Sequence, residues 1–413
     1  MTAMLRLPRP LRLLFVKDRL NWPRAAGGDV HGSQMMRALV QRGHQVCLAT
    51  QSRCSPEAVA GLGLTDVVEL STVAAAEPDD LPAPTRWQRK FESYWGQSAE
   101  ARFQLATLTR EQHFDAVIAL GPDAPLLLRG VSQGLRIWYA ADDSALHHWS
   151  QFQLTQPSTW HHLRLTATFA VYERAIASLV DRVWVVSSAD RWAMRLLTGK
   201  PVDVVANGVD AEYFRPPDSG TGVLENHLAF WGRLDFGPNE DAVAWFLQRV
   251  WPHVQSARPE TRFDVFGFQP SRRVTALCQS HRGVRLFPNL PDLRDELGRR
   301  PIAVLPFVSG RGIKNKLLEA AALGRAIVCT PEALTGTRGV PPVHCERRPE
   351  RLARAIEELL ANPGERSRLG AAARDWVIAE HSWDSAARIA ERAMQSHRDR
   401  ARASQVCLAE VTG

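Results

Sequence analysis

Several signatures are missing from this sequence, and each absence removes a class of function. The six cysteines (47, 54, 278, 329, 345 and 407) include no Cys-x-x-Cys pair, so neither a dithiol redox motif nor a zinc ribbon is written here. No apolar run is long enough to cross a bilayer as a helix. The N-terminal apolar run from Leu11 to Val16 is interrupted by Arg12 and too short for a secretory core. With Cys47 and Cys329 inside expected core strands, reduced thiols and a cytoplasmic location are expected. No Gly-x-Gly-x-x-Gly occurs, and Gly61-Leu62-Gly63 lacks the third glycine, which leaves dinucleotide binding unsupported. The pairs His147-His148 and His161-His162 have no cysteine or carboxylate at ligand spacing, so they read as surface histidines. Charge is unconcentrated too. The net +7 divides into 22 basic and 19 acidic residues over 1–205, and 29 and 25 over 206–413. A nucleic-acid partner is not expected without a basic stripe or tail.

Lysine is the scarcest of the basic residues. Only Lys17, Lys90, Lys200, Lys314 and Lys316 occur among 51 lysines and arginines. Two of the five share one turn, within Gly310-Arg311-Gly312-Ile313-Lys314-Asn315-Lys316-Leu317-Leu318-Glu319. The apolar run Ile302–Phe307 precedes that turn and Ala326–Thr330 follows it, giving strand, glycine loop, helix and strand. Glycines let backbone amides approach a phosphate, and a helix N-terminus adds a positive dipole. An ammonium is a point charge suited to phosphate oxygens. Glu319 falls one turn beyond Asn315 and Lys316 on the same face. It sits in Leu-Leu-Glu-Ala-Ala-Ala-Leu, too apolar for a solvated surface, and fits a carboxylate that receives sugar hydroxyls.

The 413 residues are 45% apolar and 23% charged, which is globular composition with room for two or three cores. Strands are expected at Leu11–Lys17, Gln45–Thr50, Asp115–Gly121, Arg136–Ala141 and Arg182–Ser187, with a helix over Val30–Gln41 and another near Trp160–Leu179. Gly27 and Gly28 lie in the first strand-to-helix loop. From Arg86 to Glu111 aromatics recur near helical spacing among basic residues. That pattern fits a helix docked on its own domain, and also an amphipathic face for peripheral membrane contact or a lipid-linked acceptor. Asp142, Asp143 and His147 follow a strand's carboxyl end, where α/β folds place ligand contacts; Asp and Ser also serve there as helix caps. Asn207-Gly208-Val209-Asp210 and a Pro-rich sequel form the hinge. The alternation then restarts with His227–Trp231, Gly232-Arg233 and a helix over Asn239–Val254 capped by Asn239. Strands are expected again at Phe263–Phe268 and Val284–Phe287. The end is helical, with Trp383–Met394 followed by a loose tail.

Taken together, Gly27-Gly28, Asn207-Gly208-Val209-Asp210, Gly232-Arg233, and Gly310 and Gly312 through Glu319 and Gly324 resemble the retaining glycosyltransferases of family 4 (glycosyl transferase group 1). The run Pro238-Asn239-Glu240-Asp241-Ala242 and the segment Thr330-Pro331-Glu332-Ala333-Leu334 are similar to a bacterial branch associated with exopolysaccharide assembly. The resemblance implies a GT-B fold, α/β with two facing Rossmann-like doubly wound domains and a cleft between them. Residues 1–205 would bind acceptor and 206–375 a nucleoside-diphosphate sugar, and 376–413 would cross back to the first domain. It implies transfer of a sugar to a saccharide or lipid-linked acceptor with retention of configuration and without an obligatory metal or cofactor.

For the donor site it implies Gly27, Gly28, Asn207, Gly232, Arg233, Gly310, Arg311, Gly312, Lys314, Lys316 and Glu319. Arg233 and Lys316 would meet the diphosphate, and Asp142 or His147 would orient acceptor or sugar. Two departures stand out. The first glutamate of the family's Glu-x7-Glu motif is Arg311 here, and the lysine usual after Gly-Arg is missing, a place Lys314 or Lys316 would fill. A non-catalytic nucleotide-sugar or glycan-binding module and a nucleotide-sugar epimerase are the competing readings.

Overall fold

The structure, a computed structural model, describes residues 9–18, 28–54, 56–71, 81–141, 143–152, 154, 157–217, 222–309 and 312–412. Gly27, Asp142, Gly310 and Arg311 lie outside the described residues, as do the side chains of 28–29 and 398–412. The chain divides into two units, Met1–Val205 with Ala386–Gly413, and Ala206–Ser385.

The first unit contains β1 (Arg12–Lys17), α1 (Gly28–Gln41), β2 (Gln45–Thr50), α2 (Pro56–Leu62), β3 (Asp66–Glu69), α3 (Arg86–Trp95), α4 (Ala99–Glu111), β4 (Ala116–Leu120), β5 (Leu135–Ala141), α5 (Ser144–Gln151), α6 (His161–Ile176), β6 (Arg182–Val185), α7 (Ser188–Thr198) and β7 (Val202–Val204). The seven strands pair in parallel in the order β3-β2-β1-β4-β5-β6-β7. Continuous apolar runs such as Ala116–Leu120, wholly buried, are what a parallel sheet covered on both faces requires. The aromatic segment 86–111 is two helices rather than one. Gly96 adopts φ 64° at the end of α3, and the Ser98 side chain caps α4.

The second unit contains β8 (His227–Arg233), α8 (Gly237–Trp245), α9 (Trp251–Ala257), β9 (Arg262–Phe268), α10 (Arg272–Ser280), β10 (Val284–Pro288), α11 (Arg294–Gly298), β11 (Ile302–Leu305), α12 (Asn315–Ala322), β12 (Ala326–Cys329), β13 (His344–Cys345), α13 (Pro349–Ala361) and α14 (Pro363–His381). Its parallel order is β10-β9-β8-β11-β12-β13. A final helix, α15 (Trp383–Thr412), begins in this unit and continues in the first from Ala386. The expected loose tail is thus helical. In the first unit, Glu391 on α15 takes hydrogen bonds from Arg42 at 2.5 and 2.8 Å and pairs with His44 at 2.7 Å.

Asn239 is a second correction. The cap position of α8 belongs to Phe236, while Asn239 is buried inside the first turn and donates to the Arg233 carbonyl at 2.7 Å. The amide closes the turn after β8 instead of starting a helix.

Beyond β5, Asp143 is fully buried and caps α5 through Leu146 N at 2.6 Å. Glu173 of α6, also fully buried, accepts from Ser144 N at 2.9 Å and Ala145 N at 3.3 Å. Burial, then the neighbouring Asp143 carboxylate, pushes Glu173 up from 4.5 to about 8. A carboxyl raised in the folded state stabilises the fold at low pH, and that contribution is lost as pH rises through its folded value. The first unit should therefore lose roughly 2–4 kcal/mol between pH 5 and pH 9. Glu173→Gln should flatten that slope in urea titrations; an unchanged slope would mean that Glu173 is already ionised at neutral pH.

Candidate functional site

In the second unit the carboxyl ends of β8 and β11 converge on the N-terminus of α12. The penultimate residue of strand β8 is Gly232, which has φ 145° and pairs with Gly267 of β9. A Cβ on Gly267 would lie 1.8 Å from the Gly232 carbonyl oxygen, so only glycine permits this approach. Above Gly232 lies the Lys316 side chain. A Cβ on Gly232 would sit 2.4 Å from its Cε and 2.6 Å from its Nζ. The glycine is a seat for the lysine, and this is the physical reason for glycine at position 232.

Three further groups shape the same place. Phe307 follows β11, with Lys314 Nζ 5.7 Å and Lys316 Nζ 5.9 Å from its ring centre, within range of cation–π attraction. Its carbonyl receives Thr330 Oγ1 at 2.6 Å, which ties the loop after β11 to the end of β12. Gly312 has φ 74°, and its carbonyl accepts from Lys314 Nζ at 3.1 Å. No side chain caps α12 at Lys314, so the first-turn amides present their partial positive charge outward.

Glu319, one turn into α12, accepts from Trp231 Nε1 at 2.6 Å. Burial raises its carboxyl above the usual range, while the Trp231 hydrogen bond and the Lys316 charge act against that. Burial likewise lowers Lys316, and Glu319 opposes the change. Each charge therefore opposes the shift that burial imposes on the other, and one Glu319 oxygen is fixed by the indole.

Asn207 reaches the same helix, its Nδ2 donating to Asn315 Oδ1 at 3.1 Å. His381 braces it: Arg338 N donates to His381 Nε2 at 2.9 Å, so the proton is on Nδ1, 3.2 Å from the Asn207 carbonyl. Gly208 lets the α14–α15 junction come close, since a Cβ there would be 2.5 Å from Trp383 N.

The structure thus brings together Asn207, Gly232, Gly312, Lys314, Lys316 and Glu319 of the expected donor set. Arg233 is adjacent but turned outward, with 62% of its side chain exposed and a two-pronged pair to Asp235 at 3.0 and 2.8 Å. In the first unit, Gly28 opens α1. His147 is exposed on α5, its ring 5.4 Å from that of His148. His148 in turn meets His162, with Nδ1 atoms 3.1 Å apart. Among the described residues no group of three or more histidines, cysteines or carboxylates is arranged to hold a metal. Asn315 is read from the sequence only as a neighbour of Glu319 on its helix face, and Trp231, Phe307 and His381 are not singled out at all. Of these three, Trp231 carries a signal, as the residue before Gly232-Arg233.

A lysine-rich, uncapped helix terminus at strand carboxyl ends puts positive charge where α/β folds gather their ligands. Comparison with known proteins identifies the family. Residues 25–213 match the model described as Glycosyltransferase Family 4, and residues 225–362 match Glycosyl transferases group 1. The chain belongs to these glycosyltransferases and has the GT-B fold. It is 29% identical over 259 residues to alpha-maltose-1-phosphate synthase of Mycolicibacterium smegmatis, an alignment covering 55% of this chain and 65% of that protein.

Solved structures show the same fold. Anabaena HepE in complex with UDP and glucose matches with TM-score 0.63 and 12% identity, over 94% of this chain and all of that one (100%). Sucrose-phosphate synthase from Thermosynechococcus elongatus matches with TM-score 0.65 and 14% identity, over 95% of this chain and 100% of that one. No helix among the described residues is long and apolar enough to cross a membrane.

Proposed function

We propose that the protein transfers a sugar from a nucleoside-diphosphate sugar to a saccharide or lipid-linked acceptor, with retention of anomeric configuration, in exopolysaccharide or cell-surface glycan synthesis. The observation that carries this reading is the Lys316 ammonium seated over Gly232 at the uncapped start of α12, one turn from an indole-bound Glu319. A diphosphate placed there meets ammonium charge and helix amides together. Glu319 keeps a carboxylate for the hydroxyls of the donor's ribose. The names of the compared proteins support it, since HepE was solved with UDP and with UDP-glucose.

In this reading the bond from the anomeric carbon to the diphosphate oxygen breaks as the acceptor oxygen bonds to the same face of the sugar. The acceptor proton leaves with the diphosphate, and the departing charge is held by Lys316, by Lys314 released from Gly312, and by Arg233 swung from Asp235. Cationic side chains and amides carry the neutralisation, with no metal assigned a part. Fixed donors aimed at developing charge contribute roughly 3–4 kcal/mol each to such a step. Gly27 and Gly28 stay assigned to the donor, and Asp142 and His147 to the acceptor or the sugar.

The test is to incubate the full chain with UDP-, GDP- and ADP-sugars and a mixture of saccharide and lipid-linked acceptors. Release of one nucleoside diphosphate together with an α-linked product from an α-donor supports the reading. Interconversion of the donor sugar without acceptor would favour the epimerase, and donor binding without release or transfer would favour the non-catalytic module.

A further inference from the structure

Net charge is spread evenly along the sequence, but it is not spread evenly over the surface of the first unit. Helix α6 packs against α3, α5 and α7, so the outward sides of these four helices adjoin. Each of α3, α6 and α7 carries a single acidic residue, Glu92, Glu173 and Asp190, and all three are buried; α5 has none. The Glu92 carboxylate is used internally by Arg129 at 2.9 Å. The lysines and arginines of these helices face the other way. Arg86, Arg89 and Lys90 are exposed on α3, Arg164 and Arg174 on α6, and Arg191 and Arg195 on α7. Every exposed lysine, arginine, aspartate or glutamate on the four helices is therefore a cation.

The aromatics follow the same division. Phe91 and Tyr172 turn inward and pack edge to face at 4.8 Å. Trp87, Trp149, Trp160 and Trp192 turn outward, and among the described residues no other tryptophan is exposed. Trp192 and Leu196 of α7 are 72% and 69% exposed, one helical turn apart, and Tyr94 of α3 is 64% exposed. Lys90 lies over Trp87 at 5.2 Å. Exposed tryptophans gathered on adjoining helices are unlike the scattered single apolar residues of an ordinary surface. Tryptophan and tyrosine between cations match the headgroup layer of a membrane, where amphipathic rings sit and anionic lipid attracts arginine and lysine.

We infer that the outward face of α3, α5, α6 and α7 docks on the surface of an anionic lipid bilayer. The cations draw the unit to the headgroups, and the exposed tryptophans, with Tyr94, Leu163 and Leu196, insert among them. This inference is independent of the donor site, because it concerns the first unit and none of its residues belongs to the α12 pocket.

The experiment is co-sedimentation of the full chain with vesicles of phosphatidylglycerol and phosphatidylcholine, and with phosphatidylcholine alone. Tryptophan emission is followed in parallel. The expected result is binding to the mixed vesicles only, with a blue shift and weakening by salt. The double variant Trp87→Ala/Trp192→Ala should abolish most of the blue shift. Arg191→Glu/Arg195→Glu should weaken partition about tenfold or more. Unchanged melting temperatures show that both variants fold, since all four side chains are exposed. Absence of binding to phosphatidylglycerol vesicles overturns the inference. So does binding that the tryptophan variant retains in full, and so does an equal affinity and blue shift with soluble polyglutamate, which would mean an acidic macromolecule.

Discussion

Lys316→Ala is expected to weaken nucleoside diphosphate binding by about 10- to 100-fold, the loss of one charged hydrogen-bonding partner of about 1.5–3 kcal/mol. Turnover should fall further if the ammonium meets the leaving group more closely in the transition state than in the ground state. The fold should survive, because the lysine packs over Gly232 and Phe307 and is not part of the apolar core. Lys316→Arg should not rescue it. The seat on Gly232 leaves less than a methyl group's room beneath Cε and Nζ, and a planar guanidinium needs more width than a lysine tip. Loss of the ammonium also removes the charge that opposes the upward shift of Glu319, so as pH is lowered donor binding in Lys316→Ala should begin to fall at a higher pH than in the wild type, a fall that Glu319→Gln should lack. Titration calorimetry across pH measures both effects. Equal affinity in wild type and Lys316→Ala would exclude the lysine from the donor site.

Gly267→Ala is expected to be the most damaging single methyl in the second unit. The added Cβ would stand 1.8 Å from the Gly232 carbonyl oxygen and 2.8 Å from Leu234 Cγ. The first of these is backbone in a paired strand, so relief requires β8 and β9 to separate. Overpacking of this kind costs about 3 kcal/mol or more, enough to lower the melting temperature of a unit this size by roughly 6–12 °C. Donor binding should fall with it, because Gly232 carries the lysine seat. Gly237→Ala is the matched control, since a Cβ there meets nothing within 4 Å. Melting curves within a degree or two of each other for the two variants would mean that the strands are not held as close as described.

The two parallel sheets and the lysine-bearing turn that opens α12 could be read from the residues, for a definite reason. Buried parallel strands are continuous apolar runs, and Ile302–Leu305 or Ala326–Cys329 can be little else. The isolation of Lys314 and Lys316 among arginines pointed to the turn that the structure places at the strand ends. Side-chain partnerships across long separations were not legible. Trp231 lies 88 residues from Glu319 and His381 174 from Asn207, and no local pattern signals either contact. Asn239 has the composition of a cap, yet tertiary packing turned it inward to the Arg233 carbonyl. The basic face of the first unit was hidden for a related reason. Counting charges along the chain gives acids and bases equal weight, while folding buried Glu92, Glu173 and Asp190 and left the cations outside.

The central claim is that a nucleoside diphosphate binds at the start of α12 beside Lys316. Titration calorimetry of UDP, GDP and ADP into the full chain, its Lys316→Ala variant and its Glu319→Ala variant tests it most directly. The account predicts saturable one-site binding of one diphosphate to the wild type, weakened at least about tenfold in each variant, with melting temperatures preserved. Binding of no diphosphate, or binding with the same affinity in all three proteins, would contradict it.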